Sequence, residues 1–371
     1  LRPPRSTLFP YTTLFRSLDY RNLIKMKVWI DISNTPHVNF FKGIIKSFES
    51  KGHETLVTSR DFDGLSSLLD LHGIEHTVVG RHGGFCKKSK LVESSKRILD
   101  LSEIISSEDI DLALYKHSVE GARVSYGLGI PSICVIDNET AVAQNKLMLP
   151  LSSKVIAPDA IPIEEITRYG VDESQVIRFN GFCEIANVSD FKYDDSFISQ
   201  LDLSEDKFTI VMRPEPVKAN YYNGNKDKTI IRAILEKTKS LKDYQFVVFP
   251  RFEEQKTVFN YGNVIIPEEP IDALSLMSYS DLVISAGGSM NREAVALNTP
   301  ALTTYPEKLL SVTKKMIEQG LKIHLLDPEK ITKFIEKDRN LDIYHDNNKR
   351  ILSKLENPID VISREIKSLG I

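Results

Sequence analysis

The 371-residue chain carries 48 basic and 51 acidic side chains, a formal net charge of -3, with 41% hydrophobic and 27% charged residues. That length exceeds what one hydrophobic core usually supports, so two domains are expected, each with a core of its own. A charge balance this close to neutral excludes bulk nucleic-acid binding, and the lack of any apolar run near ~20 residues excludes a transmembrane helix, though not contact with a membrane surface.

In chain order, residues 1–25 open with LRPPRSTLFPYTTLFRS, which has neither a helical nor a strand period. This leader is expected to be non-native or disordered, in the manner of translated sequencing-adapter read-through, with Met26 as the start. Arg16, Arg21 and Lys25 interrupt its apolar residues, which argues against a signal peptide. From Met26 onward, short β-branched apolar runs alternate with amphipathic stretches, the pattern of βαβ units around a parallel sheet. Strands are predicted at 28–32, 55–58, 76–79, 112–115, 132–136 and 154–157, with a helix after the loop Ser33–His37 that stops at Gly52. These make a first doubly wound domain, 26–186. Residues 187–206 turn polar and read as a linker with a surface helix. A second series, 207–345, places strands at 208–212, 245–249, 264–266, 281–285 and 301–304. The tail, 346–371, reads as one or two amphipathic helices packing back across the domains. The fold class is therefore α/β, with two Rossmann-like doubly wound parallel-sheet domains. Cys86, Cys134 and Cys183 are odd in number and lack metal-ligand spacing, so reduced thiols in a cytoplasmic protein are expected.

The sharpest signal is DLVISAGGSMNREA, from Asp281 to Ala294: a buried strand, a two-glycine turn and a helix. Gly287 and Gly288 let the backbone turn sharply and approach a ligand. The amides of Ser289, Met290 and Asn291, with the helix dipole, then face negative charge as an anion cradle. Glu293, one turn into the helix, is within reach of a ribose diol, which a carboxylate holds through two hydrogen bonds. The bland alternative is a strand-to-helix turn with a capping serine. The spacing of a G-x-G-x-x-G dinucleotide fingerprint is absent.

With WIDISNTPHVNFF, DNETAVAQNKLMLP and NGFCEIANV, the stretch SAGGSMNREAVALNTPA makes the chain from Met26 to about Gly320 resemble the prokaryotic family called domain of unknown function 354. More broadly, the two-glycine segment resembles the C-terminal half-site of GT-B nucleotide-sugar enzymes. That superfamily includes the lipid II N-acetylglucosaminyltransferase and the non-hydrolysing UDP-N-acetylglucosamine 2-epimerases. The resemblance implies a GT-B arrangement, two Rossmann-like domains facing a central cleft, with a nucleotide carried mainly by the second and an acceptor met by the first. It also implies Gly287, Gly288 and Ser289 as the diphosphate turn and Glu293 as the ribose-binding glutamate. No bound metal or cofactor is implied, the nucleoside-diphosphate sugar being substrate. Asp109-Ile-Asp111 and Asp61-Phe-Asp63 imitate a metal motif and are read instead as polar starts of a strand or helix.

Arg213 and Arg251 follow the first two strands of the second domain, where a guanidinium faces the ligand crevice and suits phosphate; the alternative for each is an interdomain salt bridge. His37 follows the first strand of the chain and is a candidate base for an acceptor hydroxyl, or else a helix cap. Asp137 and Glu139 follow the strand ending at Ile136, where carboxylates could bind sugar hydroxyls or move a proton, and His117 with Ser118 closes a polar ring with His37. Two departures from the superfamily stand out. The loop before His37 contains no glycine, and the histidine-arginine motif of the epimerases is Met212-Arg213 here. The expectation is an inverting, metal-independent glycosyltransferase using a nucleotide-sugar and an unidentified acceptor. A nucleotide-sugar 2-epimerase and a non-catalytic nucleotide-sugar-binding protein are the alternatives. The basic run Arg81–Lys90, with Phe85, Lys96 and Arg97, is read as a solvated loop, or as a mobile one that closes on an acceptor or touches an anionic membrane.

Overall fold

The computed structural model describes residues 25–62, 64–84, 86–217, 229–269, 271–337 and 341–368, so Asp63 and Phe85 lie outside the described residues. Its strands form two sheets, parallel throughout. The first holds β1 (Lys27–Ile32), β2 (Glu54–Asp61), β3 (Thr77–Arg81), β4 (Leu112–Lys116), β5 (Ser132–Val135), β6 (Lys154–Pro158) and β7 (Val176–Phe179), in the order β3-β2-β1-β4-β5-β6-β7. The second holds β8 (Phe208–Arg213), β9 (Tyr244–Val248), β10 (Val264–Ile265), β11 (Leu282–Ser285), β12 (Ala301–Thr303) and β13 (Ile323–His324), in the order β10-β9-β8-β11-β12-β13. β7 and β13 were not among the predicted strands. Both are short edge strands, covered incompletely, so no continuous apolar run marks them in the sequence.

Strand order reverses beside β1 and β4 in the first sheet and beside β8 and β11 in the second. Doubly wound sheets bind ligands outside the C-terminal ends of the strands at such points. The central strands are buried on both faces, as their largely apolar sequences require. On one side of the first sheet, the helices Pro36–Ser50 and Leu65–Leu71 cover Ile30, Leu114 and Ile133. On the other, Leu101, Ala122 and Met148 from three helices enclose Trp29 and Tyr115. The second sheet buries Ile210, Phe246 and Ile284 against Ile231, Leu235 and Ile335.

The helix expected on the surface of the connecting segment is Ser196–Gln200, with Ser196, Ser199 and Gln200 exposed and Phe197 turned inward, edge-on to Tyr193 and Tyr279 at 6.2 and 5.6 Å. One local reading is corrected here. Arg97, grouped by sequence with exposed lysines, is 1% exposed and forms a buried ion pair with Asp31 in β1.

The C-terminal helix Pro358–Ser368 returns to the first sheet, where Val361, Ile362 and Ile366 join the core of Ile30, Phe41 and Ile44. Just before it, the Glu356 amide donates to the Asn180 carbonyl at 2.8 Å and the Glu356 carboxylate accepts the Asn180 amide at 2.9 Å. Gly181 permits this approach, since a Cβ there would lie 2.7 Å from the Glu356 carbonyl oxygen. Gly181→Ala is expected to cost about 1–3 kcal/mol through the forced backbone shift. The midpoint of urea unfolding checks this.

Candidate active site

The loops after β11 and β5 supply the two sides of the site. After β11 the chain turns at Gly287 into the helix Gly288–Ala296, whose N-cap carries no side-chain cap. The turn is locked by Asn291: its side-chain amide donates to the Ser285 carbonyl at 2.8 Å and to the Gly287 carbonyl at 2.9 Å. The Ser285 hydroxyl accepts the Gly287 amide at 2.9 Å. These bonds draw the turn's carbonyls inward and present the start of the helix, with its positive dipole end, beside the exposed Gly288. Met290 is buried and anchors the first turn.

Both sequence-predicted arginines adjoin this turn. Arg213 ends β8 in register with Ser285, and its carbonyl accepts the Ala286 amide at 3.1 Å. Arg251 donates from Nε to the Pro214 carbonyl at 2.8 Å, and a Cβ added at Gly287 would lie 2.9 Å from its Nη2. That guanidinium therefore rests against the two-glycine turn.

On the first lobe, His37 sits in the first turn of Pro36–Ser50 and stacks on His117 with centroids 6.1 Å apart. His117 is held at φ 51°, a left-handed conformation costing of order 1–3 kcal/mol for a residue with a Cβ. Its Nε2 lies 3.1 Å from Asp137 Oδ1, while Asp137 Oδ2 meets Lys116 Nζ at 3.0 Å and Arg292 Nη2 at 3.5 Å. Burial disfavours the charge on Asp137, yet Lys116, His117 and Arg292 together hold its carboxyl well below the usual carboxylate range. A carboxylate so committed anchors the cluster and does not carry protons near neutral pH. His37 is held unprotonated as well: burial, then the Lys116 cation, keeps its imidazole well below the ordinary range, and its buried Nδ1 has no hydrogen-bond partner. The ring is thus neutral and can take up a proton only as a weak base, because burial and Lys116 disfavour the imidazolium.

Glu139 is placed elsewhere. Its Oε1 accepts the Ser311 amide of the second lobe at 2.7 Å, next to an ion pair between Lys315 and Asp159 at 2.6 Å. Glu293 Oε1 accepts from the Asn187 side chain at 2.7 Å, Asn39 also hydrogen-bonds it, and burial raises its carboxyl. The structure thus gathers His37, His117 and Asp137 into one cluster, sets Gly287, Gly288, Ser289, Asn291, Arg213 and Arg251 around the turn, and puts Glu139 and Glu293 at contacts between the lobes.

Arg292 joins these parts, and no sequence signal singled it out. A Cβ at Gly288 would lie 2.9 Å from its Nη1, while its Nη2 reaches Glu184 at 2.7 Å as well as Asp137. Its Nε and Nη1 are buried without partners. Lys322 is buried beside the same network, and burial followed by the Arg292 charge pushes its amine down to about 7. Among the described residues no group of three or more His, Cys, Asp or Glu side chains is placed to hold a metal ion, and no helix is long and apolar enough to cross a membrane.

Comparison with known proteins gives a consistent picture. The family described as Protein of unknown function (DUF354) matches residues 26–368. An uncharacterised protein of Methanocaldococcus jannaschii is 42% identical over 319 residues, 85% of this chain and 92% of that one. Among solved structures, the UDP-GlcNAc 2-epimerase of Neisseria meningitidis bound to UDP-GlcNAc superposes with a TM-score of 0.69 at 16% identity, covering 92% of this chain and 100% of that one. The UDP-GlcNAc 2-epimerase of M. jannaschii gives 0.66 at 15% identity, covering 85% and 93%. A spinosyn forosaminyltransferase gives 0.66 at 13%, covering 94% and 100%. At such identities these structures establish the fold: GT-B, two Rossmann-like domains facing a central cleft, as the sequence motifs implied.

Proposed function

The chain belongs to the DUF354 family, and from its site geometry we propose that it is a GT-B glycosyltransferase acting on a nucleoside-diphosphate sugar, with inversion and without a metal or cofactor. The observation that carries this reading is the placement of Arg292. One guanidinium touches the two-glycine turn on one side and Asp137 of the histidine cluster on the other. An anion cradle and a neutral imidazole then flank a single buried ion network, the arrangement needed for a diphosphate leaving group and a proton acceptor. Neighbours of the same fold described as UDP-GlcNAc epimerases and glycosyltransferases support a nucleotide-sugar ligand.

In the proposed step the diphosphate lies over Gly287, Gly288 and Ser289, with Arg213 and Arg251 beside it. The first amides of the helix and the guanidinium groups stabilise the charge that develops as the sugar–phosphate C–O bond breaks and its electron pair passes to the diphosphate. An acceptor hydroxyl forms the new C–O bond at the opposite face of the anomeric carbon and gives its proton to His37. His117, held by Asp137, fixes the position of the ring.

A second reading, 2-epimerisation, is favoured by the superposition of two solved epimerases over most of the chain. Met212 stands against it, where the epimerase motif carries histidine. Incubating a nucleotide-sugar alone separates the two: change at the sugar with no acceptor present identifies an epimerase, and binding without turnover identifies a non-catalytic binding protein.

The first test is a thermal-shift panel of UDP, TDP, GDP, ADP and their sugars. At a hundredfold excess over Kd a ligand adds about 2.7 kcal/mol to the native state. Glu293→Ala is expected to lower affinity for the best ligand about 10- to 150-fold, since hydrogen bonds from a ribose to a carboxylate contribute about 1.5–3 kcal/mol, provided that the ribose displaces the Asn187 and Asn39 amides that hold this carboxylate. A panel without any shift, or unchanged affinity in the Glu293 variant, rejects the placement of the nucleotide.

A further inference from the structure

The helices Lys87–Ser106, Val119–Gly127 and Val142–Met148 lie side by side over one face of the first sheet. Their inward residues, among them Leu101, Ile105, Ala122 and Met148, enter the core around Trp29 and Tyr115. The outer side of a helical layer that faces water should be polar. Here Leu91, Leu99, Tyr126, Val142 and Leu147 are 48 to 69% exposed, whereas Leu128, past the end of the second helix, sits beside the acids Glu108, Asp109 and Asp111 and is not part of this face. Leu91 and Leu99 are eight residues apart and share one helical face, on which Lys88, Val92 and Lys96 are also exposed.

The charges on the same layer are one-sided. Lys87, Lys88, Lys90, Lys96, Arg123 and Lys146 are exposed, against the exposed acids Asp100 and Glu103, and Glu93 is held by Arg81 and Lys96. The whole chain carries a net charge of -3, so this layer is a basic and apolar exception on a protein whose charge is otherwise nearly balanced.

We propose that this face docks on the surface of an anionic lipid bilayer, its apolar side chains entering the headgroup boundary and its lysines meeting lipid phosphates. Charge selects lipid over a second copy of the chain, because a two-fold self-contact would press these lysines against the same lysines of the partner. The three helices follow β3, β4 and β5, so Lys87, Lys88, Lys90 and Val142, at helix N-termini, lie at the end of the layer that adjoins the strand ends carrying His117 and Asp137. A bilayer on this face would therefore border the acceptor side of the site. The docking itself does not depend on the nucleotide-sugar reading, because it is measured without nucleotide.

The test is flotation of the full chain with vesicles of phosphatidylcholine plus phosphatidylglycerol and with vesicles of phosphatidylcholine alone. The protein is expected to float with the mixed vesicles, to do so less at high salt, and to stay behind with the neutral ones. Reversing three charges, Lys87→Glu with Lys88→Glu and Lys90→Glu, should lower the bound fraction about tenfold or more. Leu91→Asp with Leu99→Asp should lower it at low salt as well, with an unchanged thermal melt showing that the fold is intact. Equal flotation with both vesicle types, or none with either, overturns the proposal. So does a dimer in sedimentation that the two leucine substitutions convert to monomer, which would assign the face to a second copy.

Discussion

Asp31→Ala is expected to lower the unfolding free energy by about 3–5 kcal/mol, because it leaves a fully buried guanidinium without its counterion. Asp31 and Arg97 are each 1% exposed. The pair is two-pronged, Nη2 to Oδ1 at 2.6 Å and Nη1 to Oδ2 at 3.0 Å, and the Arg97 Nε also donates to the Val79 carbonyl at 2.9 Å. Thr58 donates to the same carboxylate at 2.6 Å, as does the Ser118 hydroxyl. With the carboxylate removed, the nearest remaining anion is Glu120, 3.8 Å from Nη1. Adding Arg97→Met to the first change should restore part of the loss, since it removes the unpaired guanidinium, while Glu120 loses that partner and the Thr58 and Ser118 hydroxyls stay without their acceptor. Urea unfolding of the two single variants and the double variant measures this. The pH dependence has a defined sign. Burial works against the Asp31 charge, but Arg97 and the hydroxyl donors depress its carboxyl below the usual value. Its contribution is therefore complete above the ordinary carboxylate range and is lost as pH falls through the depressed native value.

His37→Gln is expected to reduce turnover about 10²–10⁴-fold, the usual contribution of a positioned base, while the thermal shift with nucleotide persists. In the wild type the imidazole is held well below its ordinary value by burial and by Lys116. The acid limb of kcat/KM should accordingly lie below about pH 6.5, the value of a free histidine. Lys116→Gln removes the nearby cation, so the limb should move upward toward that value. Full turnover in His37→Gln would remove the proton acceptor from the proposed step. An acid limb that ignores Lys116 would show that another group titrates.

The central strands and the two-glycine helix were legible because each is written in contiguous residues. Buried parallel strands appear as apolar runs, and a strand, Gly-Gly turn and helix in sequence order define their own geometry. His37, His117 and Asp137 could be placed individually at strand ends. Their meeting depends on β1, β4 and β5 being neighbours or near neighbours, a tertiary fact. Lys116 did carry a signal, a lysine closing an otherwise apolar strand that proves buried throughout. Arg292 carried none, since an arginine one position before a helix glutamate looks like surface charge until the partner lobe supplies Glu184. That glutamate and Asn187 belong to NGFCEIANV, a stretch whose sequence pointed to family likeness and not to a site. Arg97 was misjudged for a related reason: its neighbours are exposed, and only helix rotation turns it alone toward Asp31.

The polypeptide passes between the two sheets twice, once through the segment holding Phe197 and once ahead of Pro358, where Glu356 is fastened to Asn180. A single tether would allow swivelling in any direction, whereas a pair of tethers leaves one line about which the halves can rock. Opening along that line would part Arg292 from Glu184 and Asp137, and Glu139 from Ser311, in one concerted movement. The last helix is therefore the anchor of the second crossing, and ending the chain before residue 358 would take Val361, Ile362 and Ile366 out of the first core while leaving that crossing held only at Glu356.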